Sequence, residues 1–240
     1  MCMYFKNTLS IKKKILVLFS LIILACSIPA LPVSARAQEV ESAGAPGVSA
    51  ASAVLISGDD GTVIFEKNAQ EPRAMASTTK IMTALLTLEE AARSGDPTLT
   101  VTEEMVRVEG SSMGLLPGNK LSLTNLAAGM LLASGNDAAN SAALFISGDQ
   151  ESFAELMNAR AGEIGMEHTN FVTPSGLDDD QHYSTAYDMA LLAKEALKNP
   201  DFAKIAGSSS LQVEFLEPPG KVTYSNHNKL LRIYDGCIGV

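Results

Sequence analysis

The residues of this 240-residue chain best suited to chemistry begin with Ser77 and Lys80, three positions apart in "MASTTKIMTALLTLEE" (75–90). A serine hydroxyl is a poor nucleophile until a neighbour takes its proton. Residues i and i+3 share one face of a helix, so a helix over 77–93 presents hydroxyl and amine to each other. A lysine in water is protonated and useless as a base, but desolvation disfavours its charge and lowers its pKa. The apolar stripe after Lys80 can supply that desolvation: Ile81, Leu85, Leu88 and Ala92 keep helical spacing, and Met82, Ala84 and Leu86 widen it. A helix start near Ser77 would also offer backbone N–H groups to a developing oxyanion. The spacing alone is not diagnostic. Ser10 and Lys13 share it, and Ser77 as an N-cap beside a solvated Lys80 fits the same letters.

A second polar group, Ser134-Gly135-Asn136, interrupts two apolar helical runs in "LLPGNKLSLTNLAAGMLLASGNDAANSAALFI". A serine there can relay a proton to a leaving group, and an asparagine can hold a substrate amide. An ordinary interhelical turn is the alternative.

The elements that must position these groups follow from periodicity and turn signals. "SAVLISGDDGTVIFEKN" sets two β-branched runs around Gly58-Asp59-Asp60-Gly61, a β-hairpin. The helix at 77–93 follows, then a turn at Pro117-Gly118 and the two runs flanking Ser134. "DQESFAELMNARAGEIGM" places Phe153, Leu156, Met157, Arg160 and Ile164 on one helical face, with Gly165 as its stop. "STAYDMALLAKEALKNP" starts with Thr185 and Asp188 at capping-box spacing and ends before Pro200. "LQVEF" and "KVTYS" flank Pro218-Pro219-Gly220 as a second hairpin. Hairpin, helices, hairpin is an α+β layout with a helical middle.

Composition narrows the class. Lys6 and Lys12 to Lys14 precede the uncharged run "ILVLFSLIILA", and "ARA" at 35–37 offers small residues to a signal peptidase. Residues 1–37 therefore read as an export signal, with lipid attachment at Cys26 or a retained membrane anchor as alternatives. Residues 38–49 read as a flexible tether, and 50–240 as the domain. The signal holds five of the 18 Lys and Arg and none of the 27 Asp and Glu, so the remainder carries 13 against 27, a formal charge of −14. That excess argues against nucleic acid, whose phosphates need a basic footprint. Beyond the signal only Cys237 remains, so no intrachain disulfide framework is available and packing must supply stability.

"ASTTKIMTALLTLE", "SMGLLPGNKLSLTNLAAGMLLASGNDAAN" and "FVTPSGLDDDQHYSTAYDMALLAKEALKNP" resemble the serine-type D-Ala-D-Ala carboxypeptidases, the low-molecular-mass penicillin-binding proteins of peptidase family S11. The likeness runs from about Ala50 to the last residue. S-x-x-K and S-x-N are, in order, the first two of the three motifs of the penicillin-recognising serine transpeptidase/β-lactamase-like fold. The resemblance implies that Ser77 is the nucleophile, Lys80 the general base, Ser134 the proton relay and Asn136 the ligand of the substrate amide. It implies an exported enzyme that trims the terminal D-alanine from peptidoglycan stem peptides ending in D-Ala-D-Ala. β-Lactams would be covalent inhibitors, with no metal or cofactor. Peripheral membrane contact is a further implication, since relatives often hold the membrane through a C-terminal amphipathic helix. The third motif, K-T-G, does not occur in the chain. The expectation is a domain truncated before the third-motif strand, with residues 38–240 poorly folded and close to inactive on their own.

Three rivals remain open. A serine β-lactamase commonly carries S-D-N where this chain has Ser134-Gly135-Asn136. A zinc peptidase could draw on His182, Asp188, His227 or the aspartates at 178–180, but no H-E-x-x-H spacing is present, and "LDDDQHYS" also reads as a solvated loop before a capped helix. A wall-binding or penicillin-sequestering pseudoenzyme is compatible with the absent K-T-G.

Overall fold

The computed structural model describes residues 47–177 and 179–239. The expected export signal, the tether as far as residue 46, and Asp178 lie outside the described residues.

Strand β1 (Ala53–Ile56) pairs antiparallel with β2 (Val63–Lys67), with a register irregularity between Leu55 and Ile56. The 57–62 turn is closed by Ser57 N–H on the Thr62 carbonyl at 2.8 Å, and by Thr62 N–H on Asp60 Oδ1 at 3.0 Å. This is the hairpin expected from the β-branched runs. One turn of 3-10 helix, Ala76–Thr79, then leads into α1 (Lys80–Ser94). The helix expected from residue 77 thus opens in a tighter winding, and the α-helix proper begins at Lys80.

Strands β3 (Thr98–Thr100) and β4 (Lys120–Ser122) form a short antiparallel pair, too brief to stand out as alternating runs. Helices α2 (Leu123–Ala133) and α3 (Asn136–Ser147) follow, split at Ser134-Gly135 as the polar triplet implied. Helix α4 (Gln150–Ile164) starts from an Asp149 cap and stops at Gly165. Its buried face is Phe153, Ala154, Met157 and Ala161. Leu156, expected on that face, is exposed, and Arg160 spans Glu89 on α1 and Glu163 on its own helix.

Helix α5 (Ala186–Ala196) is capped by Thr185, whose hydroxyl accepts from Asp188 N–H at 3.0 Å. Only half of the expected capping box forms. The Asp188 carboxylate turns away to accept from His168 N–H at 2.8 Å and Thr169 Oγ1 at 2.7 Å. Helix α6 (Pro200–Ala206) puts Pro200 at its start, where a missing N–H costs nothing, behind an Asn199 cap. Strands β5 (Ser210–Leu216) and β6 (Pro219–Ser225) form the expected second hairpin, and α7 (Leu230–Ile233) is a single turn.

The core is helical. Met82, Leu85 and Leu88 of α1 pack with Leu123, Leu126 and Met130 of α2, all at most 2% exposed. Each such side chain contributes roughly 1.5–3 kcal/mol of transfer free energy. Helix α3 presents Ala138, Ala139, Ala142 and Ala143 to this core, and small side chains let three helices converge behind residues 77–80. Backbone bonds between Lys120 and Glu217 join the β3/β4 pair to the second hairpin. The layout is α+β with a helical middle.

Candidate active site

In a 3-10 turn side chains at i and i+3 eclipse, and Ser77 sits within one. Lys80 Nζ lies 3.0 Å from Ser77 Oγ and donates to the Ser175 carbonyl at 2.8 Å. The lysine is 2% exposed. Burial pulls its pKa from 10.5 down to about 8, while Asp137 pulls the other way. At pH 7 about a tenth of the molecules then carry a neutral amine, about 300-fold more than an ordinary lysine would supply. Ser77 itself is exposed. A dry amine thus meets an accessible hydroxyl.

The backbone around the pair is unusual. Ala76, just before the serine, has φ +44°, a left-handed conformation that costs a non-glycine residue about 1 kcal/mol or more. Gly176 is packed against that residue. With φ +81°, a Cβ added there would fall 1.9 Å from the Ala76 carbonyl oxygen and 2.7 Å from Thr79 Oγ1. Gly176→Ala is expected to lower stability by about 2 kcal/mol or more and to displace the serine turn. Thermal melts and the Lys80 titration midpoint check this; an alanine variant with unchanged melting temperature and midpoint contradicts the packing.

Ser134 caps the end of α2 at φ +55° and lines, with Ser77, Lys80, Ile81 and Met130, a pocket of about 340 Å³. His227 lies on the wall of the same pocket, between Asn226, which donates to the Ala206 and Ser208 carbonyls, and Asn228, which caps Leu230 N–H. Asn136 is buried beside Ser134, but its Nδ2 donates to the Glu109 carbonyl at 2.7 Å and it does not line that pocket. Three of the four residues singled out in the sequence are therefore brought to one cavity, and the fourth adjoins it.

Asp137 was not singled out, and it organises the loop in front of α3. Its carboxylate accepts from the N–H groups of Met113, Gly114 and Leu115 at 2.9–3.1 Å and from Ser112 Oγ at 2.6 Å. Gly135 allows the approach, since a Cβ there would meet Asp137 Oδ1 at 2.7 Å and Met113 N at 2.9 Å. The loop is held from its far side by Tyr224 of β6, whose hydroxyl donates to the Met113 carbonyl at 2.6 Å. An acidic residue in the first turn of a helix was the available signal, but it reads equally as dipole compensation.

The described part of the 178–182 segment, residues 179–182, is not simply solvated loop. His182 is 4% exposed, with Nε2 2.8 Å from Thr79 Oγ1 and Nδ1 accepting from Val172 N–H at 2.9 Å. Desolvation lowers its pKa, against Asp179. His182, Asp188 and His227 occupy three separate settings. Among the described residues no group of three His, Cys, Asp or Glu side chains is arranged to hold a metal ion.

Residues 39–238 match the family model described as D-alanyl-D-alanine carboxypeptidase, peptidase S11. The chain is 39% identical over 196 residues to D-alanyl-D-alanine carboxypeptidase DacF of Bacillus subtilis, covering 80% of this chain and 50% of that protein. It is 30% identical to a D-alanyl-D-alanine carboxypeptidase of Streptomyces sp. strain K15, over 81% of this chain and 72% of that one. Among solved structures, the D-alanyl-D-alanine carboxypeptidase from Mycobacterium tuberculosis H37Rv superposes with a TM-score of 0.75 at 32% identity, over 81% of this chain and 72% of the other. A Streptomyces K15 DD-transpeptidase variant superposes with 0.76 at 28%, over 82% and 81%. The chain spans about half the length of the Bacillus relative.

Proposed function

The chain belongs to the D-alanyl-D-alanine carboxypeptidase family, peptidase S11, and on that premise we propose that it is an exported serine carboxypeptidase acting at the outer face of the bacterial membrane or in the wall. Its substrate is a peptidoglycan stem peptide ending in D-Ala-D-Ala. The observation that carries the reading is the 3.0 Å contact between the accessible Ser77 hydroxyl and the buried Lys80 amine.

The neutral amine of Lys80 takes the Ser77 proton as Oγ attacks the carbonyl carbon between the two D-alanines. The collapsing tetrahedral adduct expels D-alanine, whose nitrogen gains a proton that Ser134 relays from Lys80. An ester remains on Ser77. Water, deprotonated by the same amine, attacks it and releases the shortened peptide, restoring serine and lysine. The family likeness assigns the substrate amide to Asn136, whose Nδ2 is held by the Glu109 carbonyl outside the pocket lining; its carboxamide oxygen is the atom for that contact once the side chain turns toward the pocket. A β-lactam carbonyl meets the same serine, but opening its ring leaves the leaving group tethered, so the ester persists. No step asks for a metal or an organic cofactor. Among the described residues no helix is long and apolar enough to cross a membrane, which is compatible with peripheral attachment.

The test is release of D-alanine from a D-Ala-D-Ala peptide together with mapping of a penicillin adduct in the intact protein. An adduct on Ser77 is expected; an adduct elsewhere, or D-alanine release that survives saturation with penicillin, contradicts the reading. The pH dependence follows from the lowered lysine pKa. Below about 8 Lys80 is protonated, so acylation should rise nearly tenfold per pH unit from pH 6 and level off above about 8. A rate flat between pH 6 and 9 contradicts lysine as the base.

A further inference from the structure

We propose that His182 is a positioning residue for the Ser77/Lys80 pair: its imidazole, engaged at both nitrogens, holds the 172–176 loop against the serine turn so that the Ser175 carbonyl keeps the Lys80 amine in place. The inference rests on the reading of Lys80 as the base.

The hydrogen bonds settle where the ring proton lies. Nδ1 accepts from the N–H groups of Val172 at 2.9 Å and Thr173 at 3.2 Å, so it carries no proton. The proton is on Nε2 and is donated to Thr79 Oγ1 at 2.8 Å. A doubly protonated ring would turn N–H against two N–H groups. The ring is buried edge-on against Phe171, with centroids 5.9 Å apart. Charged groups near it are Asp179, Arg73 and Asp180 around a cavity of about 530 Å³ on which the ring borders, and Lys80 on the next residue after Thr79. Desolvation outweighs Asp179 and keeps the ring neutral.

What separates His182 from any satisfied buried histidine is the identity of its partners. One is Thr79, between the serine and the lysine. The others open a loop whose next carbonyls grip α1: Pro174 accepts from Thr83 Oγ1 at 2.6 Å and Ser175 accepts from Lys80 Nζ at 2.8 Å. Gly176 then lies on Ala76. The imidazole closes a ring of contacts whose other members are the two reacting side chains' own backbone supports. Loosening it lets the Ser175 carbonyl retreat and water reach the amine. A shift of about 1 Å at a reacting group costs about 10²-fold in rate.

The experiment compares wild type, His182→Ala and His182→Gln in the intact protein, reading penicillin acylation, non-covalent penicillin affinity and the Lys80 midpoint by Cε NMR. In His182→Ala the acylation rate constant is expected to fall about 10²-fold with affinity unchanged, and the Lys80 midpoint to climb from about 8 toward 10.5. Glutamine offers an acceptor and a donor at similar reach, so His182→Gln should recover most of the rate. A folded His182→Ala protein with the wild-type midpoint and rate overturns the proposal, as does a glutamine variant no better than alanine. Should the alanine variant fail to fold, Thr79→Val, nearly isosteric, removes the same bond, and an unchanged midpoint there overturns it equally. Wild type lacking any adduct on Ser77 would sink the catalytic reading instead; a Lys80 midpoint still responding to His182 would leave the positioning role standing.

Discussion

Ser77→Ala is expected to abolish covalent labelling by a fluorescent penicillin and to lower D-alanine release by about 10³-fold or more, while the melting temperature stays within a degree or two. The two halves of that result have different causes. In the proposed mechanism the hydroxyl oxygen is the atom that becomes the ester, and neither Lys80 nor Ser134 can stand in for it, so the loss is of the kind seen when a nucleophile is deleted from a cooperating set. The side chain is exposed, and its one hydrogen bond among the described residues is with Lys80. Removing it leaves no buried group unpaired, because Lys80 Nζ keeps the Ser175 carbonyl. Gel fluorescence and calorimetry on the same preparation read both halves. A labelled alanine variant contradicts the assignment.

Lys80→Met is the second large effect. Methionine keeps the length and the apolar stem but offers nothing to take a proton, and acylation should fall by about 10³-fold or more. Its stability signature is as informative. In the native protein Lys80 loses its proton near 8, in the unfolded chain near 10.5. Between those values the unfolded state binds the extra proton, so wild-type stability gains a rising contribution with pH across that window. The shift corresponds to about 3 kcal/mol. Lys80→Met lacks it, so the difference between wild-type and variant stabilities should change by about 3 kcal/mol between pH 8 and 10.5, the other lysines and tyrosines cancelling. Urea titrations at the two pH values measure this. A constant difference means the lysine is not desolvated.

Much of this site is written in local signals. Ser77 and Lys80 meet because a helical turn brings i and i+3 together, and Lys80 is dry because the residues after it are apolar. Ser134 reaches the same cavity because two apolar helices need a break, and the break is polar. The winding of the first turn is not legible in local spacing: the 3-10 turn at Ala76–Thr79 is packed against Gly176, in a loop about 100 residues away. The same holds for Asp137, His182 and the carboxylate of Asp188. Each sits in a stretch that looks like solvated loop or helix cap, and each is buried because a distant loop folds over it. The β3/β4 pair and helix α6 escaped because three or seven residues carry too little periodicity to declare themselves. Contacts within one helix can be read from spacing, whereas those that set the surroundings of Lys80 depend on tertiary closure.

The state of one amine decides the account. With lysine labelled at Cε, the Lys80 resonance identified by its absence in Lys80→Met should titrate with a midpoint near 8, well apart from the solvated lysines. A midpoint near 10.5, indistinguishable from the surface lysines, would mean that the amine beside Ser77 is charged at neutral pH and cannot take the serine's proton.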